Sequence, residues 1–136
     1  MNCIVLLPEL LATGGSDGTV NIYNFDPSSI QYAHRQAIRL APFYPLALSL
    51  YSTIDGILLA IGGSSSKIQL YASSPIELNF QKFATLKGHE DWIRGLDFTT
   101  SHSDIYLASG SQDRYIRLWK ITQSTASNPL NDTDAL

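Results

Sequence analysis

Residues 88–119, GHEDWIRGLDFTTSHSDIYLASGSQDRYIRLW, decide how the rest of the sequence is read. From Ile93 to Phe98 apolar residues alternate with polar or small ones, the period of a half-buried strand. A second such run, from Tyr106 to Ser109, ends in the turn chemistry of Ser111-Gln112-Asp113-Arg114. A third run, Tyr115 to Trp119, puts Ile116 and Leu118 on one face and closes on an aromatic. Two strands joined by a turn of this kind are a hairpin.

The same hairpin occurs twice upstream. Leu10–Tyr23 (LLATGGSDGTVNIY), Leu58–Tyr71 (LLAIGGSSSKIQLY) and Tyr106–Trp119 (YLASGSQDRYIRLW) align without gaps, and Ala12, Ala60 and Ala108 stand 48 residues apart each time. Gly14, Gly62 and Gly110 keep that offset, as do Tyr23, Tyr71 and Trp119. A fixed period of this size is the mark of a repeat architecture. Between the hairpins, Pro45–Tyr51 and Ile93–Phe98 read as inner strands, and Gln31–Leu40 and Leu78–Leu86 as outer strands. Polar loops are expected at Asp26–Ser29, Ser52–Gly56 and Thr99–Asp104. Nothing keeps a helical period, so the chain is all-β.

Gly-His, two strands with a Ser, an Asp turn and a strand ending in Trp together resemble a WD40 repeat, which implies four-stranded antiparallel blades of a β-propeller. The blades are placed at about 1–41, 42–87 and 88–123, making 1–123 a partial propeller and 124–136 a polar C-terminal tail. The first blade is expected to lack its first strand, whose counterpart falls near or before Met1. The third is expected to lack its last, because residues 126–134 are polar and broken by Pro129. A closed ring takes at least four blades, roughly 160 residues, so an open arc belonging to a longer protein is expected.

His89, Ser109 and Asp113 contain the ingredients of a nucleophile, base and orienting acid. The WD40 resemblance implies another role: His89, Ser109, Asp113 and Trp119 as a buried structural tetrad, in which every polar group must find a partner. The first repeat keeps a degenerate set, Thr13, Asp17 and Tyr23, and the second has Ile61, Ser65 and Tyr71. Decay along an array suits a structural set, so no catalytic residue is assigned. Gly62–Lys67 lacks the spacing of a phosphate loop. His34, His89, His102 and Cys3 lack metal-ligand spacing. Glu90, Asp91, Trp92 and Arg94, with Arg114 nearby, have the composition of an interface hot spot, and packing of Trp92 between blades is the competing reading.

Composition narrows the rest. With 44% apolar and 15% charged residues the chain is globular in type, and its net charge of −3 gives no footprint for nucleic acid or anionic membrane. A single cysteine excludes an internal disulfide. The apolar N-terminus lacks a basic n-region, and no apolar run reaches the ~18 residues of a membrane span.

The third repeat is more specific than a generic WD40 unit. Glu90-Asp91-Trp92-Ile93-Arg94, followed by Ser111-Gln112-Asp113 and Ile116-Arg117-Leu118-Trp119, resembles the family of Elongator second subunits. That resemblance implies a non-catalytic scaffold of two tandem seven-bladed propellers beside a large scaffold subunit and a catalytic subunit. The assembly it implies modifies wobble uridines of tRNA in the cytoplasm and is linked to histone acetylation and transcription elongation in the nucleus. The cofactors belong to the catalytic partner, and none is assigned to this chain. A WD40 adaptor of another complex, such as a ubiquitin-ligase substrate receptor or a trafficking coat component, is the alternative.

Overall fold

The computed structural model describes residues 2–122 and the strand 133–135. It forms three four-stranded antiparallel sheets, each a meander in chain order. The first contains β1 (Cys3–Leu7), β2 (Leu10–Gly14), β3 (Thr19–Asp26) and β4 (Gln31–Arg39). The second contains β5 (Pro45–Thr53), β6 (Gly56–Gly63), β7 (Ser65–Ser73) and β8 (Gln81–Leu86). The third contains β9 (Ile93–Ser101), β10 (Asp104–Ser111), β11 (Ile116–Ile121) and β12 (Thr133–Ala135). The sheets follow one another as an open arc. Their first strands lie side by side, with the Phe98 amide donating to Ser49 Oγ across β9 and β5 at 3.2 Å.

Apolar residues at every second strand position form two layers between the sheets. Ala12, Val20, Ile22 and Ile38 pack on Leu48, Leu50, Leu59 and Ile61 of the second sheet. Ala60, Ile68 and Leu70 pack on Ile93, Leu107, Trp119 and Ile121 of the third. Each buried Ile or Leu contributes about 1.5–3 kcal/mol, so these two layers are the chain's main cohesive element. The sheets approach closely at two of the repeated glycines, Gly14 and Gly62. A Cβ on Gly14 would lie 2.6 Å from the Pro45 ring, and one on Gly62 would lie 2.5 Å from Ile93.

Three expectations are corrected. The first sheet does have its first strand: all five residues of β1 pair with β2, from Cys3↔Gly14 to Leu7↔Leu10. The repeat frame puts the connecting turn at residues 6–7, matching Ile54-Asp55, but the chain turns at Pro8-Glu9 and leaves room for a short strand. At the other end, Thr133–Ala135 of the expected polar tail pairs with β11, Trp119↔Ala135 to Ile121↔Thr133. The strand begins beyond Pro129 and uses the otherwise unpaired edge of β11; the rest of the tail lies outside the described residues. The outer blades are therefore shortened rather than missing a strand. Lastly, the loop at Thr99–Asp104 is mostly strand. His102 and Ser103, with φ of 51° and 71°, make the left-handed two-residue turn that suits a hairpin, and Ser101 pairs directly with Asp104.

Candidate functional site

The third sheet carries the densest polar cluster, and its framework is the turn Ser111–Tyr115. The Arg114 amide donates to the Ser111 carbonyl at 3.2 Å, and Arg114 takes φ of 73°. The turn at Gly15–Thr19 is its counterpart, where the Gly18 amide donates to the Gly15 carbonyl at 3.1 Å and φ is 81°. In both, the aspartate locks the turn by accepting from the amide two residues on. Asp113 Oδ1 receives the Tyr115 amide at 2.8 Å, and Asp17 Oδ1 the Thr19 amide at 3.0 Å. Ser65 does the same for Lys67 at 3.2 Å in the second repeat.

The second carboxylate oxygen separates the repeats. Asp113 Oδ2 accepts from the Glu90 amide at 2.9 Å and from His89 Nδ1 at 2.8 Å. A carboxylate only accepts, so Nδ1 carries the proton and His89 Nε2 is free to accept in turn. The Ser109 hydroxyl donates to Nε2 at 2.7 Å and accepts from Trp119 Nε1 at 2.8 Å. His89 and Ser109 are buried, and Trp119 sits in the apolar layer. Gly88 permits this entry: a Cβ there would meet the Trp119 ring at 3.0 Å and Arg117 Nε at 3.2 Å. Burial pushes the Asp113 carboxyl up, but the bonds from Glu90, Tyr115 and His89 outweigh it and hold the group well below the usual carboxylate range.

This arrangement is ill suited to nucleophilic catalysis. Ser109 is 2% exposed, its proton is directed to His89, and its oxygen already accepts from the Trp119 indole. A serine nucleophile needs an exposed oxygen with room for a substrate carbonyl.

The expected degenerate set does not assemble in the same way. Among the described residues no hydrogen bond joins Thr13, Asp17 and Tyr23. Tyr23 instead packs edge-on against His34, ring centroids 5.3 Å apart. In the second repeat the His89 position is Ala41 and the Ser109 position is the buried Ile61.

The interface candidates form a second cluster beside the tetrad. Trp92 packs edge-on against Tyr44 of the second blade at 5.8 Å, and the Arg94 guanidinium lies 5.6 Å from the Trp92 ring centre. Arg94 Nε donates to Gln112 Oε1 at 2.7 Å, as does its terminal nitrogen. Asp91 Oδ1 accepts from its neighbour, the Trp92 amide, at 2.7 Å. Glu90, Arg94 and Arg114 stay exposed, while Asp91 and Trp92 are half-buried. Trp92 thus combines an inter-blade contact with a partly open face.

Sequence reasoning missed several of these partners. Ser111 Oγ donates to the Asp91 carbonyl at 3.1 Å and accepts the Asp113 amide at 3.1 Å. The Gln112 amide donates to the Trp92 carbonyl at 2.9 Å, just as Ser64 does to Tyr44 at 3.0 Å in the second blade. The 48-residue offset maps Tyr44 onto Trp92 and Ser64 onto Gln112, and was signal enough to find that bracket.

Sheets that succeed one another with their first strands alongside are consistent with the blades of a partial propeller, and the chain holds a WD40 repeat: residues 80–120 match the family model described as WD domain, G-beta repeat. Over most of its length it is similar to proteins named Elongator complex protein 2. It is 37% identical over 123 residues to the one from Schizosaccharomyces pombe, covering 90% of this chain and 16% of that protein. With the Saccharomyces cerevisiae protein the identity is 40%, covering 85% and 16%. With that of Mus musculus it is 35%, covering 90% and 15%. The chain thus spans about a sixth of the length of these curated relatives. Among the described residues no helix is long and apolar enough to cross a membrane.

Proposed function

We propose that this chain is a protein-interaction scaffold segment of the Elongator complex, without catalysis of its own. The observation that carries the reading is the similarity to proteins named Elongator complex protein 2 across nine-tenths of the sequence. In this reading His89, Ser109, Asp113 and Trp119 are a structural tetrad that ties the loop before β9 to the Asp113 turn and to the core. Glu90, Asp91, Trp92, Arg94 and Arg114 present a partner-binding edge at the same end. The complex's scaffold and catalytic subunits are the partners, and its part in tRNA wobble-uridine modification, in the cytoplasm and nucleus, is the setting. Cofactors reside on the catalytic partner.

Mass spectrometry of the tagged native protein with everything that copurifies tests this. Elongator scaffold and catalytic subunits are the expected companions. Recovery with a ubiquitin ligase or a coat complex instead would leave only the WD40 fold standing.

A further inference from the structure

The end of the sheets opposite His89 carries a different chemistry. Each sheet is an antiparallel meander, so its first and third connections share one end. The Asn2 side chain donates to the Pro45 carbonyl at 3.5 Å, and Gly62 abuts Ile93, which puts the starts of β1, β5 and β9 at the same level. The turns 8–9, 27–30, 54–55, 74–80 and 102–103 therefore all lie at the far end. Ile30, Ile54 and Ile76 sit there, 79%, 94% and 95% exposed. Such turns ordinarily hold Gly, Asn, Asp or Ser. Phe43, Tyr115 and Ile116 are exposed at the opposite end, so what sets these turns apart is apolar tips in the company of carboxylates.

These tips are held in place. Asp26 accepts from the Ser28 amide at 3.0 Å and from the Ser28 and Ser29 hydroxyls at 2.7 and 3.0 Å. Next to it, Ile30 takes φ of 55°, a left-handed conformation costly for a β-branched residue and usually kept for a reason. Thr53 Oγ1 bridges the Asp55 amide at 3.2 Å and the Gly56 carbonyl at 3.0 Å, and Ser74 Oγ accepts the Ile76 amide at 3.2 Å. A surface fixed beforehand loses less entropy when it binds.

Acidic groups predominate at this end, where the cations are Lys82 at the start of β8 and Lys120 near the end of β11. Glu9, Asp26, Asp55 and Glu77 have no cationic side chain within 4 Å among the described residues, whereas Asp104 pairs with Lys120 at 3.8 Å. Arg39, Lys67, Lys87, Arg94 and Arg114 lie toward the opposite end. We propose that the turn end bearing Ile30, Ile54 and Ile76 docks a basic segment of a partner protein, one whose Lys or Arg residues are interspersed with apolar side chains. The isoleucines supply apolar contact, and the carboxylates steer and orient the cationic segment. Nucleic-acid phosphates are repelled by the same field. The proposal rests on the reading of the chain as an interaction scaffold, and adds where and by what chemistry a partner is held.

Incorporating a benzophenone photocrosslinker at position 54 or 76 of the full-length protein in cells, with position 115 at the other end as control, tests it. Crosslinks from 54 and 76 are expected to fall on one Lys/Arg-rich segment of a copurifying subunit. The double variant Asp55→Lys/Glu77→Lys should cut that yield about tenfold and leave the yield from position 115 and the urea midpoint unchanged. If subunits copurify but positions 54 and 76 give no crosslinks, or crosslink to an acidic segment, lipid, RNA or a second copy, the docking site is overturned and the scaffold reading stands. If nothing copurifies, both fall.

Discussion

The second and third blades share one repeat frame and are held by different means. In the second, Ile68 and Leu70 are buried because the third sheet lies over them; the equivalent Ile116 is 82% exposed, with no sheet beyond it among the described residues. Gly62 is forced by Ile93, while a Cβ on Gly110 would meet nothing within 4 Å. At the loops the difference runs the other way. Ser65, with a single oxygen, can lock its own turn but cannot also reach the preceding loop, whereas Asp113 uses its second oxygen to hold Glu90 and His89. The backbone bracket from Ser64 to Tyr44, or Gln112 to Trp92, is common to both. The bracket is thus common to the two blades, and the hydrogen bonds joining His89, Ser109, Asp113 and Trp119 are found on one.

The largest effects should come from the apolar layers. Ile68→Ala is expected to cost about 2–5 kcal/mol, as large-to-small core changes do, and Ile116→Ala no more than about 0.5 kcal/mol, as at exposed sites. Urea unfolding of the 136-residue chain measures both, and similar costs would mean that the face bearing Ile116 is covered in solution. Next, His89→Ala should cost about 1–3 kcal/mol by orphaning buried partners, against about 0.5 kcal/mol or less for Ser65→Ala. Equal losses in the same titration would show that both blades depend on the polar link.

A pH titration sharpens the contrast further. The folded-state pKa of Asp113 is depressed, so its contribution is present above the unfolded value of about 3.9. That contribution is lost as pH falls below this value toward the folded one. Thermal unfolding between pH 5 and pH 2 should therefore show a steeper acid loss for the natural sequence than for Asp113→Asn. Parallel curves would remove the carboxylate from the account.

The smallest effect concerns the turn. Arg114→Gly relieves a left-handed conformation but loosens the unfolded chain, so a net gain of at most about 1 kcal/mol is expected. A clear loss in melting temperature would show that the Arg114 side chain itself contributes to the turn.

Much of this was legible in the residues. Three hairpins follow from the 48-residue spacing, and the resemblance to a WD40 repeat implies that His89, Ser109, Asp113 and Trp119 belong together. Other features were hidden for physical reasons. The frame misplaced the first turn because Pro8-Glu9 moves it along the chain. Ile116 and Leu118 share one face by alternation, but alternation marks a face without saying what lies against it. The Trp92–Tyr44 contact joins blades, and a repeat pattern describes one unit at a time.

The sequence by itself determined the strands, their hairpin pairing and the set of polar groups able to satisfy one another, because pairing between neighbouring strands is local and repeats with the chain. Only the tertiary structure decided which faces are buried, that Asp113 rather than Asp17 or Ser65 reaches the preceding loop, and that three exposed isoleucines share one end with several carboxylates. Those outcomes depend on what the next sheet brings into contact, and contact between sheets is not written in the period of either one.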